Sequence, residues 1–222
     1  MSNLIQPILN WSEVWALLIP LFVLLLRPKQ PFYLKPVILY LWAALFLNLT
    51  GDIIGEYNKN HPGWHLSNNP LYNIHSLLRF ACFSYFFILL KQRFFTPIKK
   101  ILPVIFILFV MIEFSFFEKI FFKAHLSGNL LATEAFLLLI YCMLYYLSQL
   151  REEIEVLTGS KDFWVVTGLG IYVVFNFFVF LFYIPMITEN SHLANNMWNV
   201  HNVAYILLCT FISKAFYVPV AN

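Results

Sequence analysis

An all-α, polytopic membrane protein, built as a seven-transmembrane-helix bundle, is the fold class this sequence predicts, and three observations predict it. Hydrophobic residues make up 61% of the 222 residues and charged ones 11%, with a mean hydropathy of +0.74. A water-soluble domain of this size has no way to hide that much apolar surface. Hydrocarbon is then the solvent, and the backbone must satisfy its own polar groups as helix. Seven apolar stretches of about bilayer length divide the chain, and basic residues crowd into alternate connections. The lipid bilayer is therefore the first expected partner, and residues 1–222 read as a single membrane domain.

The predicted spans are 11–26, 37–54, 70–90, 101–116, 129–147, 163–184 and 198–216. Each covers roughly 24–33 Å at 1.5 Å per residue, enough to cross or nearly cross the hydrocarbon core. One set of connections carries Arg27, Lys29, Lys35, Lys91, Arg93, Lys99, Lys100, Arg151 and Lys161, with Lys214 near the end of the last span. The opposite set carries Lys59, Lys119 and Lys123. Ten against three is a positive-inside bias, which puts the N-terminus outside and the C-terminus in the cytoplasm. The net charge of +3 follows from this bias and implies no nucleic-acid partner.

The first span has no basic leader and no small-residue cleavage site, so it reads as a retained helix. Cys82, Cys142 and Cys209 all fall inside spans, where buried small hydrophobes are expected rather than disulfides. The connections are short and leave no room for a cytoplasmic output domain, so any action lies within the bundle or passes through a partner.

The polar residues suggest a duplication. Asn69, Asn73 and His75 before and within the third span match Asn195, Asn199 and His201 at the seventh, at a shift of 126. Glu13 in the first span matches Glu134 in the fifth at a shift of 121, and Asn48 in the second matches Asn176 in the sixth at 128. The pattern predicts a 3+1+3 parallel repeat: spans 1–3 and 5–7 related by an axis along the membrane normal, with span 4 as linker. Repeat-built bundles commonly place their site where the halves meet.

Ionisable groups inside a span are costly and tend to face the bundle interior. Tyr72, His75, Ser76 and Arg79 follow i, i+3, i+4, i+7 and share one stripe of a helix, as do Trp198, His201, Asn202 and Tyr205. Arg79 lies about nine residues, roughly 13 Å, below the outer end of its span, where a guanidinium must be paired. Glu113 and Glu134 are the nearest carboxylates by depth. The candidate ligand-binding residues are Glu13, Asp52, Tyr72, His75, Arg79, Glu113, Glu134, Asn176, His201 and Asn202, expected to line an outward-facing polar cavity with Arg79 at its floor. The ligand implied is a small polar molecule or ion. Interhelical glue is the competing reading of the same residues. All six histidines fall outside or in the outer third, which makes external acidity a candidate stimulus.

No motif implies a cofactor. His61 and His65 have HxxxH spacing, but Pro62 and Gly63 break the helix such a metal site needs. Lys214 is too deep toward the inner end for a retinal Schiff base, and Arg79 stands where an acidic counterion would be wanted. No GxSxG serine motif occurs, and Glu152-Glu153 lies in a connection without in-membrane histidines beside it.

Residues 72–80 (YNIHSLLRF), 162–172 (DFWVVTGLGIY) and 198–202 (WNVHN) resemble small bacterial seven-helix proteins, whose relatives form the membrane halves of some sensor histidine kinases. The resemblance implies a bacterial inner membrane location, a receptor-like sensor and a histidine kinase as partner. The 3+1+3 arrangement also resembles small carriers for sugars and vitamins, which keeps a solute carrier as the alternative. A metal-dependent intramembrane hydrolase using His75, His201 and nearby carboxylates is a third and weaker reading.

Overall fold

A computed structural model describes residues 5–61, 66–90, 92, 94–117, 126–151 and 159–219. Lys91, Arg93, Lys119, Lys123, His125, Glu152, Glu153 and most of the loop holding Trp64 and His65 lie outside the described residues.

Helix is the only regular secondary structure among the described residues. Eight α-helices follow in order: α1 Ile5–Asn10, α2 Ser12–Leu26, α3 Lys35–Asn60, α4 Asn69–Leu89, α5 Thr96–Ile112, α6 Gly128–Arg151, α7 Lys161–Glu189 and α8 Ser191–Tyr217. The expectation of seven is corrected to eight, because a short N-terminal helix ends at Asn10, just before Trp11. That helix is tied down by Trp15 Nε1 donating to the Ile8 carbonyl at 2.9 Å and by Gln6 donating to Asn199 at 3.1 Å.

Four helical segments, Phe32–Asn60, Gly128–Arg151, Lys161–Ile187 and Ser191–Tyr217, are long and apolar enough to cross a membrane. The others differ for physical reasons. At 15 residues α2 is short, about 22 Å at 1.5 Å per residue. The apolar run of α4 is diluted by Asn73, His75, Ser76 and Arg79, all of them buried. After 17 residues α5 passes into a π-helical turn, Glu113–Phe117.

The starts of α3, α4 and α5 carry Pro36, Pro70 and Pro97 in the first turn, where the missing N–H has no helical partner to lose. At the other end, α4 is capped by a side chain. Lys99 Nζ donates to the Phe87 and Leu90 carbonyls at 3.1 and 3.3 Å and is almost fully buried. Lys161 does the same for α8, donating to Ala215 and Phe216 at 3.2 and 3.3 Å. Cations at helix C-termini complement the dipole.

The helices close into a ring. Its neighbours run α2–α3, α3–α4, α4–α6, α6–α7, α7–α8 and back from α8 to α2, while α5 packs against α4 and α6. The tightest approach is between α7 and α8, where a Cβ added to Gly168 would lie 2.5 Å from Phe211 Cβ. Burial is inverted relative to a soluble protein. Phe22, Phe46, Leu25 and Phe116 are 62–77% exposed on the outer surface, whereas Glu13, Arg79, Glu134, Asn176 and His201 are at most 5% exposed within. An apolar exterior around a polar centre is what hydrocarbon solvent selects. The chain is a helical membrane protein.

Candidate functional site

At the centre of the ring α4 meets α6. The stripe of α4 that carries His75, Ser76 and Arg79 turns inward, and Arg79 reaches across to Glu134. Arg79 Nε donates to Glu134 Oε1 at 2.6 Å and Nη2 to Oε2 at 2.5 Å, a bidentate fork. Ser76 Oγ donates to the same Oε2 at 2.7 Å. The remaining guanidinium nitrogen, Nη1, donates to the Tyr172 hydroxyl of α7 at 2.6 Å. One arginine thus holds three helices together. Buried pairs of this kind overcome desolvation only when geometry is good and the leftover donors find partners, as they do here.

A second polar contact closes the other junction, between α8 and α2. The amide of Asn176 is oriented by its Nδ2 donating to the Tyr172 carbonyl at 2.8 Å, which leaves Oδ1 facing His201 Nδ1 at 2.5 Å. A carbonyl oxygen only accepts, so Nδ1 carries a hydrogen and donates. His201 Nε2 lies 3.2 Å from Glu13 Oε1. The strand of contacts from Glu134 through Arg79, Tyr172, Asn176 and His201 to Glu13 is continuous. It runs through α7 and joins both junctions of the ring.

A third group packs beside it. His75 Nε2 is 3.2 Å from the Tyr40 hydroxyl, which lies 3.4 Å from that of Tyr205. The rings of Tyr172 and Tyr205 stand edge to face, with centroids 5.9 Å apart.

The expected open cavity is not what these residues form. Glu13, His75, Arg79, Glu134, Asn176, His201 and Asn202 are at most 5% exposed. Most of them pack against one another inside the ring: the forked ion pair joins Arg79 to Glu134, the amide bridge joins Asn176 to His201, and His75 meets Tyr40. The other candidates lie apart. Glu113 sits at the α5–α6 contact and accepts from Asn129 Nδ2 at 2.7 Å, so of the two proposed partners of Arg79 the structure chooses Glu134. Tyr72 meets Trp198 edge to face at 5.6 Å. The amide nitrogen of Asn202 has no hydrogen-bond partner among the described residues.

Asp52 lines a pocket of about 160 Å³ between the ends of α2, α3, α4 and α8, together with Glu56, Lys59, Asn68, Trp11 and Trp198. Lys59 bridges Glu56 at 3.1 Å. Asp52 Oδ2 is shielded yet has no hydrogen-bond partner among the described residues. Trp198 links this pocket to the core, its ring 4.8 Å from that of His201.

Sequence reasoning missed Tyr40, although it stands two turns before Asn48 on one face of α3. It also missed the capping roles of Lys99 and Lys161, which depend on neighbours distant in sequence. Among the described residues no group of three or more His, Cys, Asp or Glu side chains could hold a metal. His75 and His201, the histidines of the hydrolase reading, contact Tyr40 and Asn176. The three cysteines are free and buried.

No protein-family model matches the chain, and no curated protein or solved structure matches it.

Proposed function

We propose that the chain is a receptor-like sensor of a bacterial inner membrane, with its N-terminus outside and its C-terminus cytoplasmic. In this reading a small polar ligand or ion enters the Asp52 pocket from outside. The observation that carries it is the placement of Trp198, which lines that pocket and packs its ring, tilted, against that of His201. A shift of Trp198 bears directly on the His201–Glu13 junction and, through Asn176 and Tyr172, on the Arg79–Glu134 junction. A movement of helices at the basic end would then pass to a partner. The resemblance of residues 72–80, 162–172 and 198–202 to kinase membrane halves makes a histidine kinase that partner.

A solute carrier is the second reading, favoured by the ring of two helix triplets with α5 outside it. In that reading α2–α4 and α6–α8 are the repeats, and the two junctions open alternately.

The two readings separate in one experiment. A donor–acceptor dye pair on the basic ends of α4 and α6, in nanodiscs, is followed while a panel of small polar solutes and external pH is scanned. A solute that changes transfer efficiency in the wild type but not in Asp52→Asn supports the sensor. Counterflow uptake of that solute by proteoliposomes would replace sensor with carrier. No response across the panel and pH range would count against both.

A further inference from the structure

The basic end of the bundle holds a second pocket, of about 390 Å³, where the chain leaves α2 and where α7 begins and α8 ends. Arg27, Lys29 and Lys161 line it, and no carboxylate does among the described residues. Lys161 is fixed in its wall, because its ammonium also donates to Gln30 Oε1 at 3.1 Å as well as to the α8 carbonyls. Gln30 Nε2 in turn donates to the carbonyls of Arg27 and Phe216 at 2.7 and 3.1 Å, which pins the α2 end against the α8 end. This lattice holds the loop 27–30 open as a rigid rim. Neither Arg27 nor Lys29 has a carboxylate partner among the described residues. Arg27 leans over the Tyr217 ring at 5.7 Å, a contact that leaves its donors free.

The surroundings identify what such a rim faces. Leu26 and Tyr217 on its border are 65% and 59% exposed, so the pocket straddles the line between apolar surface and basic rim. Basic pockets between membrane helices at this level recognise phosphate-bearing head groups, and a guanidinium beside an ammonium suits a phosphate's several oxygens.

We infer that the pocket bounded by Arg27, Lys29, Gln30 and Lys161 is a phosphate-binding site for a net-anionic phosphate ester or phosphate ion. Its occupant would clamp α2 to α7 and α8. The inference is independent of whether the bundle senses or carries.

The test uses the full chain in phosphatidylcholine nanodiscs with and without added phosphatidylglycerol, read by thermal unfolding and by lipid retention in native mass spectrometry. A parallel arm adds inorganic phosphate to phosphatidylcholine discs. Stabilisation by phosphatidylglycerol alone identifies a lipid head group, and stabilisation by inorganic phosphate as well identifies the free ion as a source. In Arg27→Ala/Lys29→Ala either affinity should fall by about fivefold for each cation removed. Lys35→Ala, whose cation rests on Phe32 outside the pocket, should leave it unchanged. Should the double variant fail to fold, Lys29→Gln alone is measured in the same way and should show the single-cation loss. The inference is overturned if neither anion stabilises the wild type, if removing the cations leaves affinity intact, or if Lys35→Ala weakens it equally.

Discussion

Arg79 grips Glu134 with two nitrogens, at 2.6 and 2.5 Å, in the middle of a bundle whose outer surface is apolar. Neither residue retains contact with solvent, so each is the counter-charge the other requires. Arg79→Ala or Glu134→Ala should each destabilise the protein by about 3–5 kcal/mol, because the charge left behind has no water to turn to. The double variant should cost less than the sum of the two, as read by thermal unfolding in nanodiscs. Strict additivity would mean that the pair does not form.

Glu113 supplies the contrast. It is also buried, but among the described residues its hydrogen-bond partner is the neutral donor Asn129. A glutamine there keeps a carbonyl oxygen to accept that bond. Glu113→Gln should change stability by less than about 1 kcal/mol and combine additively with Arg79→Ala. A loss as large as that of Glu134→Ala would place an unrecognised charge at the α5–α6 contact.

Gly168 sets how closely α7 and α8 approach. The helix backbone there faces Phe211, with no room for a methyl group, in keeping with small residues at membrane helix contacts. Gly168→Ala should cost about 1–3 kcal/mol through overpacking. Gly159→Ala is the control, since nothing lies within 4 Å of its added Cβ. Equal effects of the two substitutions would remove the close approach as their cause.

What the sequence made legible divides along physical lines. Apolar runs report the solvent directly, so every helix but the short α1 was readable to within about two turns. Where α3 and α7 exceed their predicted spans the extra turns are polar, as at Asn58–Asn60 and Glu189, and hydropathy does not register them. Arg79, His75 and Ser76 could be placed on one stripe because helical spacing is local. The choice of Glu134 over Glu113 was not legible, since it depends on how α4 and α6 rotate about their axes. Nor was it legible that His201, Asn176 and Glu13 would satisfy one another and fill the expected cavity. Composition identifies costly groups, and only packing reveals how they are paid off.

The proposed orientation is open to direct chemical test. In a background free of Cys82, Cys142 and Cys209, Asn195→Cys and Ser67→Cys lie at the end of the bundle opposite the basic cluster. They should react with a membrane-impermeant thiol reagent added to intact cells. Gly159→Cys, exposed at the basic end, should react only after the cells are opened. Labelling of position 159 in sealed cells would invert the topology, and with it the side from which the Asp52 pocket is reached.

Coupling between the two junctions distinguishes a switch from plain interhelical glue. Ser76 touches Glu134 at one junction and Glu13 touches His201 at the other, and the two have no side-chain partner in common. Ser76→Ala and Glu13→Gln should then add to within about 0.3–0.5 kcal/mol unless something connects them. The structure offers a connection on one turn of α7, where Tyr172 receives Arg79 on its hydroxyl and Asn176 on its carbonyl. Loosening Glu134 frees Arg79 to pull on Tyr172, and the carbonyl that orients Asn176 moves with it. The expected non-additivity in thermal unfolding is above about 0.5 kcal/mol. It should disappear in a Tyr172→Phe background, which keeps the ring but removes the acceptor for Arg79. Additive behaviour in the wild-type background would make the junctions independent, and a ligand at Trp198 would then have no route to Arg79. Coupling that survives Tyr172→Phe would instead assign the route to the stacked rings of His201 and Tyr205 and the hydroxyl contact of Tyr205 with Tyr40.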